Sequence, residues 1–179
     1  RGSLWMTTEE LLVFRILHPG TGIVQAFGKL EFKGGYVLEL EQDMKTSGCR
    51  RSCYSPKEGP GSFAGHEFFE ASSMRKYNGK YYFVYSSRHN HELCYAVSDR
   101  PTEGFRFGGT LVSNGDLFLD GKEDESHASN YIGNTHGGIL HLNGKYYNFL
   151  SQAYQPEFLR PAGLRGEIIM DENGMFRQA

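Results

Sequence analysis

A run of mixed and aromatic residues divided by one tight turn stands near the middle of the chain. Residues 66–77 alternate irregularly between apolar and polar types, and residues 80–87 are mostly aromatic and β-branched. Asn78-Gly79 separates the two runs. Asn-Gly in this position is a strong local signal of a β-hairpin, because a type I′ turn requires positive φ at both central residues. The pattern therefore predicts a hairpin with Glu70 at its entrance.

The same hairpin pattern occurs a second time. Asn-Gly-Lys-Tyr-Tyr stands at 78–82 and again at 143–147, an offset of 65 residues. A propeller blade of four strands needs about 40–60 residues at strand lengths of about 5–6, so the offset fits one blade with a long loop. The same shift places His136 opposite Ala71, beside Glu70. We therefore expect Glu70 and His136 to enter the innermost strands of their blades, near a central funnel.

Shorter apolar runs on both sides predict further strands. The run at 11–17 ends at a Pro-Gly pair, which favours a strand over a helix, and residues 34–41 alternate between apolar and polar types. Residues 92–98 and 105–112 add two strands to the first hairpin, which makes the four up-and-down strands of one blade. A closing hairpin is predicted at 167–177. Because no long amphipathic helix is visible, the predicted fold class is all-β.

Two polar segments are predicted as connections. Residues 45–65 are rich in Lys, Arg, Ser, Pro and Gly, and they form a long loop that leads to Glu70. Residues 113–135 carry many acidic side chains. A calcium loop needs oxygen ligands at fixed alternating spacing with a Gly at the sharp turn. This segment lacks that order, so a solvated acidic loop is predicted.

Composition and charge narrow the function. The net charge of −2 provides no basic surface for nucleic acid or for an anionic membrane. The 23 glycines among 179 residues and the 14% aromatic content are typical of short aromatic strands separated by tight turns. No apolar run approaches the roughly 18 residues of a membrane-spanning helix, and no signal peptide is visible, so no localisation is assigned. One domain over residues 1–179 is expected.

The three cysteines predict little chemistry. Cys49 and Cys53 are separated by three residues, and Cys94 lies in a predicted strand. A single Cys-x3-Cys pair is weak support for zinc, and three cysteines do not make a disulfide framework. Free thiols or one local disulfide are expected.

Several motifs together resemble glycoside hydrolase family 43. They are His-Glu-Phe-Phe-Glu-Ala-Ser-Ser at 66–73, the two Asn-Gly-Lys-Tyr-Tyr segments, Tyr-Ala-Val-Ser at 95–98 and Asn-Thr-His-Gly-Gly at 134–138. The similarity is strongest over 36–152. Members of this family are five-bladed β-propellers that act on arabinose- and xylose-containing plant polysaccharides, with inversion at the anomeric carbon. The resemblance therefore implies a five-bladed β-propeller, a glycosidase activity of the arabinofuranosidase or xylosidase type, and an oligosaccharide substrate.

The resemblance also implies roles for individual residues. Glu70 matches the general acid, which protonates the leaving glycosidic oxygen. His136 matches a histidine near the propeller axis that contributes to a calcium or water-bound ion site, so calcium at the axis is the one cofactor expected. Arg160 matches a late arginine that faces the substrate. His66, just before the hairpin, is expected to line the same funnel and to bind substrate.

The strand pattern predicts how Glu70 is tuned. A general acid works best with a pKa near the working pH, and for Glu, with a reference pKa of about 4.3, this requires apolar burial or nearby negative charge. On a regular strand His66, Phe68 and Glu70 share one face, so Phe68 is expected to desolvate Glu70. The loop histidines His89 and His91 are expected to lie in solvent, and the alternative is that they line the funnel.

One component of the family's site is absent from the sequence. An inverting glycosidase needs an acid and a base whose carboxyls lie about 6.5–9.5 Å apart. The resemblance places the base in blades before the Glu70 hairpin, but only 64 residues precede Gly65, and none carries a matching motif. We therefore expect the chain to contain the later blades of a propeller. These blades are expected to associate with themselves or with the missing half. Whether they are active without that half is left open. The alternative is a non-catalytic carbohydrate-binding or structural propeller fragment.

Overall fold

The computed structural model of the chain describes residues 3–6, 11–15, 36–40, 47–52, 61–88, 90–117, 124–129, 135–155 and 158–178. For the strands before residue 53, and for residues 125, 152–155, 158–165 and 178, it describes the backbone alone. Two short 3₁₀ turns lie at Asn114–Asp116 and Glu125–His127. Within these described ranges, no helix has the length and apolar character needed to cross a membrane.

The described residues form twelve strands in three antiparallel sheets of four. The first sheet contains β1 (Ser3–Met6), β2 (Leu11–Arg15), β3 (Tyr36–Leu40) and β4 (Ser47–Ser52). The second sheet contains β5 (Phe68–Tyr77), β6 (Lys80–Ser87), β7 (Leu93–Ser98) and β8 (Arg106–Val112). The third sheet contains β9 (His136–Leu142), β10 (Lys145–Gln155), β11 (Phe158–Met170) and β12 (Phe176–Gln178).

The all-β fold class predicted from the sequence is confirmed. In each sheet the four strands lie side by side in chain order, which is the up-and-down form of a propeller blade. The two matching Asn-Gly turns join the first and second strands of the second and third sheets. Both central residues of each turn have positive φ: 49° at Asn78, 80° at Gly79, 51° at Asn143 and 77° at Gly144. The 65-residue offset therefore does separate equivalent positions in successive blades.

One prediction about the connections is wrong. Residues 45–65 were expected to form a loop throughout, but β4 (Ser47–Ser52) pairs with β3, with Tyr36 opposite Ser52. This strand has no apolar alternation because it is the last strand of its sheet, where backbone hydrogen bonds to one neighbour suffice and polar or charged side chains are common. In the acidic segment, Asp124 and His127 are exposed, as predicted for a solvated loop, whereas Asn114, Leu117 and Thr135 are buried.

The second sheet is buried on both faces. One face packs against the third sheet through an aromatic and aliphatic cluster: Tyr82, Val84, Leu93, Tyr95, Leu111, Ile139, Leu150, Ile168 and Phe176. The opposite face carries a second cluster: Phe63, Phe68, Met74, Tyr81, Phe83, Tyr85, Cys94, Ala96 and Phe105. The first strands of successive sheets also touch, β1 against β5 and β5 against β9. This arrangement places the three first strands next to each other, as innermost strands lie around a propeller axis.

Tyrosine hydroxyls connect the second sheet to the backbone of the third. The Tyr95 hydroxyl accepts a hydrogen bond from the backbone N–H of Phe176 at 2.8 Å and lies 3.3 Å from its carbonyl oxygen. The Tyr82 hydroxyl donates to the Gly174 carbonyl at 2.9 Å, and the Tyr77 hydroxyl donates to the Ile139 carbonyl at 3.0 Å. Burial raises the pKa of Tyr82 to about 12, which keeps this hydroxyl protonated as a donor.

The outer face of the third sheet exposes large apolar side chains. Leu140, Leu142, Phe149 and Ile169 are between 39% and 52% exposed. They share one face, because Leu140 lies opposite Tyr147, and Tyr147 lies opposite Glu167 on the next strand. Ile139, Leu150 and Ile168 point the other way, into the second sheet. We call this exposed group the outer apolar face.

We predict that Tyr95→Phe lowers the free energy of unfolding by about 1–3 kcal/mol, because it leaves the buried backbone groups of Phe176 without their partner. The matched control is Tyr147→Phe, on the outer apolar face, where no hydrogen bond to the hydroxyl is seen among the described residues. That variant should stay within about 0.5 kcal/mol of the parent. Urea denaturation compares the two, and equal values would contradict the role given to the Tyr95 hydroxyl.

Candidate active site

Glu70 lies on β5 between two irregularities of the hairpin. Phe68 pairs with Ser87, Glu70 pairs with Ser86, and the next paired residue on β5 is Ser73. The strand therefore carries an extra residue on each side of Glu70, which is the pattern of a β-bulge. Ala71, immediately after Glu70, has a φ of 59°, a value that L-residues other than Asn, Asp and His seldom adopt. The local backbone at Glu70 is thus specialised.

The predicted shared face of Phe68 and Glu70 is wrong. Their partners Ser87 and Ser86 are adjacent residues, and adjacent strand residues point to opposite faces. The bulge at position 69 therefore turns Glu70 away from Phe68. The Phe68 ring instead packs edge-on against Phe83 at 5.1 Å, inside the cluster on the far face of the second sheet. Phe68 is a core residue and does not desolvate Glu70.

Glu70 contacts His136 across the boundary between two sheets. His136 Nε2 lies 3.2 Å from Glu70 Oε1, and the two side chains are 46% and 33% exposed. His136 is the first residue of β9, so each residue enters the first strand of its own sheet. The sequence repeat predicted that both residues enter the first strands of their blades, and this placement is confirmed; the direct contact between them was not predicted. The carboxyl is thus held by a side chain from the next sheet while one third of it stays open to solvent.

A second histidine, His91, also approaches Glu70, in agreement with the alternative of a histidine that lines the funnel. His91 Nδ1 lies 4.0 Å from Glu70 Oε1, and Phe69 packs edge-on against its ring at 5.2 Å. This nitrogen is buried and has no hydrogen-bond partner among the described residues. His91 was expected in solvent, whereas it is one-third exposed. The neighbouring loop histidine, His89, lies outside the described residues.

The loop that carries His91 is fixed by a reciprocal pair of hydrogen bonds. Asn90 donates to the carbonyl of Asn114, and Asn114 donates to the carbonyl of Asn90, each at 3.0 Å. Asn90 and His91 both have positive φ, at 56° and 50°. Asn adopts this conformation more readily than most residues. Asn90, between two histidines, was therefore the one signal in the sequence for the turn that positions His91.

The other two predicted substrate residues are not brought to Glu70 by the described structure. His66 Nδ1 lies 2.8 Å from Glu92 Oε2, and its ring stacks on Phe107 at 4.4 Å, beside the cluster that holds Phe68. Arg160 belongs to β11, but its side chain lies outside the described part of the structure. Substrate binding by His66 and Arg160 stays a prediction.

The residues around His136 were tested against the expected calcium ion. Calcium takes about six to eight oxygen ligands. Among the described residues, the hydrogen-bonding partner of the His136 ring is one oxygen of Glu70. An imidazole and a single carboxylate do not fit a calcium site. The metal role of His136 therefore stays a prediction that the described residues do not support.

Chemically, the Glu70 site is suited to proton transfer. One carboxyl group is held by an imidazole, has a second imidazole within 4.0 Å, and is partly open to solvent. A positioned carboxylic acid can protonate a leaving oxygen within hydrogen-bond reach. Inverting hydrolysis also requires a second carboxyl, and Glu70 makes no contact with one among the described residues.

Relatives of known name support a glycosidase family. No protein-family model matches the chain. The chain is 41% identical over 150 residues to a xylosidase/arabinosidase of Thermoclostridium stercorarium, which covers 82% of this chain and 32% of that protein. It is also 41% identical over 85 residues to a β-xylosidase of Xylanibacter ruminicola, covering 47% of this chain and 22% of that protein.

Solved structures share the fold. The RS223 β-xylosidase superposes with a TM-score of 0.70 at 22% identity, covering 98% of this chain and 56% of that one. CoXyl43, a family 43 β-xylosidase/α-arabinofuranosidase from a compost metagenome, gives 0.68 at 16% identity, covering 99% and 57%. The chain thus spans about a third of the length of the first curated relative and little more than half of these structures.

The backbone at Ala71 generates a prediction. Because φ is positive there, Ala71→Gly should leave the free energy of unfolding unchanged or slightly higher, while the β-branched Ala71→Val should lower it by about 1–2 kcal/mol. Denaturant unfolding of both variants measures the difference. If Gly destabilises the protein as much as Val does, the bulged conformation after Glu70 is wrong.

Sequence and fold lead to the same assignment. The identity to named xylosidase/arabinosidases extends over most of the chain, and three successive four-stranded blades superpose on five-bladed propellers of known enzymes. The chain therefore belongs to glycoside hydrolase family 43, and it comprises part of the five-bladed β-propeller catalytic domain.

Proposed function

We propose that the protein carrying this chain hydrolyses glycosidic bonds in xylose- and arabinose-containing oligosaccharides by inversion, with Glu70 as the general acid. The observation that carries the proposal is the contact between Glu70 Oε1 and His136 Nε2 at 3.2 Å, at the entrance of two first strands. A carboxyl fixed at this point is accessible to a substrate that enters along the propeller axis.

The two histidines support an acid rather than a structural carboxylate. His136 restricts the rotation of the Glu70 side chain, and orientation of the acid toward the scissile oxygen contributes directly to the rate. His91 Nδ1, buried and without a described partner, provides a hydrogen-bonding group beside the same carboxyl.

The substrate class is supported by the known relatives. CoXyl43 is known in complex with xylotriose, and a family 43 enzyme of Xanthomonas citri in complexes with xylose and with xylotriose. An arabinoxylan arabinofuranohydrolase of Bacillus subtilis is known with cellotetraose. The xylose and xylotriose complexes favour a xylan-derived oligosaccharide for the present protein.

Two components of the family mechanism, the catalytic base and the calcium ion, are not assigned to described residues. The catalytic base is not assigned to any described residue, since Glu70 contacts no second carboxyl among them. CoXyl43 is described in a calcium-free form, which fits a calcium site in that protein. Because the described residues at His136 do not fit calcium, the proposed proton transfer from Glu70 does not involve the ion.

The acid role of Glu70 is tested by Glu70→Gln in the longest natural form of the protein. On xylo-oligosaccharides, whose sugar leaving group needs a proton, kcat should fall by about 10²–10⁴-fold. On a dinitrophenyl xyloside the loss should be far smaller, because dinitrophenolate leaves without protonation. Steady-state kinetics on the two substrates measure both effects. Glu172→Gln, in an exposed turn, is the matched control and should keep full activity.

Each other outcome has a clear meaning. An equal loss on both substrates would show that Glu70 acts through structure and not as a proton donor. An unchanged rate would reject the assignment entirely. If the parent protein binds xylo-oligosaccharides and hydrolyses none of them, the alternative of a non-catalytic carbohydrate-binding propeller is correct.

We also propose that the chain, when isolated, associates through the outer apolar face with a second copy or with a complementary propeller part. Leu142 and Phe149 are 52% and 43% exposed on this face, and blades normally bury such surfaces against a neighbouring blade. Leu142→Lys should therefore shift the isolated chain toward monomer in light scattering. Ala64→Lys, exposed before β5, adds the same charge elsewhere and should not. A parent chain that is monomeric at all concentrations would contradict the proposal.

A further inference from the structure

A second group of reactive side chains lies on the other face of the second sheet. His66, Glu92 and Cys94 bring one nitrogen, one carboxylate oxygen and one sulfur within 4.8 Å of one another. Glu92 and Cys94 are 4% and 0% exposed, whereas the His66 side chain is one-third exposed and opens the group to solvent. This group, which we call the His-Glu-Cys cluster, lies on the face opposite to Glu70 and has no role in the proposed hydrolysis.

The distances within the cluster are close to those between the ligand atoms of a metal site. His66 Nδ1 lies 2.8 Å from Glu92 Oε2, and Cys94 Sγ lies 3.9 Å from that nitrogen and 3.8 Å from that oxygen. Tetrahedral zinc, with bonds of about 2.3 Å to sulfur and about 2.0–2.1 Å to nitrogen and oxygen, separates its ligand atoms by about 3.3–3.6 Å. Movements of about half an ångström would therefore give zinc geometry.

The fold holds each of the three side chains in place. Glu92 immediately precedes β7 and Cys94 is the second residue of β7, and their side chains lie together, with Cys94 Sγ 3.8 Å from Glu92 Oε2. The carbonyl of Glu92 accepts a hydrogen bond from the N–H of Ser87 at 2.8 Å. The carbonyl of His66 accepts a hydrogen bond from the Tyr85 hydroxyl at 2.8 Å, and its ring stacks on Phe107 with an interplanar angle of 8°. A binding site with positions fixed before binding costs little reorganisation.

The donor set selects the metal. Sulfur and imidazole ligands suit zinc and related first-row ions, whereas calcium and magnesium prefer oxygen alone. One thiolate and one carboxylate balance the two charges of the ion, so the buried site is neutral. The Thr110 hydroxyl lies 3.6 Å from Cys94 Sγ, where it can donate to the sulfur as an outer partner.

We propose that His66 Nδ1, Glu92 Oε2 and Cys94 Sγ bind a zinc ion, with water from the His66 side as the fourth ligand. The thiol proton passes to solvent when sulfur binds the ion. This gives His66 a role different from substrate contact. The alternative is a hydrogen-bonded pair of His66 and Glu92 beside a neutral thiol, which binds no metal.

Cobalt is the probe, because a Co²⁺–thiolate bond gives a near-ultraviolet charge-transfer band that oxygen and nitrogen ligands do not give. The protein is stripped with a chelator and titrated with Co²⁺ alone, and then with Zn²⁺ as competitor. We expect a saturable band at one equivalent that zinc removes. Cys94→Ser should abolish the band, and His66→Gln should weaken Co²⁺ binding by at least about 10–100-fold, the range seen even for outer-shell residues.

The other two thiols provide the matched control. The double variant Cys49→Ser/Cys53→Ser should keep both the band and its affinity. Circular dichroism establishes that each variant is folded. Because the His66 side chain is one-third exposed, His66→Gln tests the site even where Cys94→Ser does not fold. Absence of the band in the parent would overturn the proposal, as would a band that depends on Cys49 and Cys53 and not on Cys94 or His66.

Discussion

Burial of the second sheet on both faces is the constraint on which the rest of the structure depends. Tyr82 and Phe83, adjacent on β6, are 0% and 1% exposed, and they pack into opposite clusters. A single sheet cannot bury both of these faces, so it is stable only between two neighbours. The third sheet supplies one of them, and its own outer apolar face then needs a cover in turn. Packing in this chain therefore propagates from sheet to sheet, as in a propeller.

The bulge at position 69 allows Phe68 to pack in the core while Glu70, two residues later, points to the opposite face. Without it, Phe68 and Glu70 would point the same way, and either the aromatic ring would leave the core or the carboxyl would enter it. With it, Phe68 packs against Phe83, while Glu70 points to the third sheet and meets His136. The positive φ of Ala71 is the local cost of this arrangement. The irregular backbone of β5 therefore allows the strand to pack in the core and the Glu70 carboxyl to stay accessible.

The sequence predicted features that depend on local chemistry or on repetition. The Asn-Gly turns specify two hairpins, and their spacing was sufficient to place Glu70 and His136 in the first strands of successive blades. The sequence did not predict β4, since an edge strand held by backbone hydrogen bonds needs no apolar pattern. It also missed the bulge, because one extra residue leaves the composition unchanged. The contact between His91 and Glu70 was not predicted for a further reason. The loop of His91 is fixed by Asn114, 24 residues from Asn90, and such contacts have no short-range signal.

The two glycines after His136 explain why that histidine reaches Glu70. A Cβ atom at Gly137 would lie 2.4 Å from the carbonyl oxygen of Phe149 and 2.9 Å from the Leu93 side chain. A Cβ at Gly138 would lie 2.8 Å from the hydroxyl oxygen of Ser73, which shares a face with Glu70. Side chains at these positions would disturb the packing of β9 against β10 and against the second sheet, and His136, at the start of β9, would shift with that strand. The geometry of the acid therefore depends on the absence of side chains in the adjacent strand, which couples proton transfer to the packing between sheets.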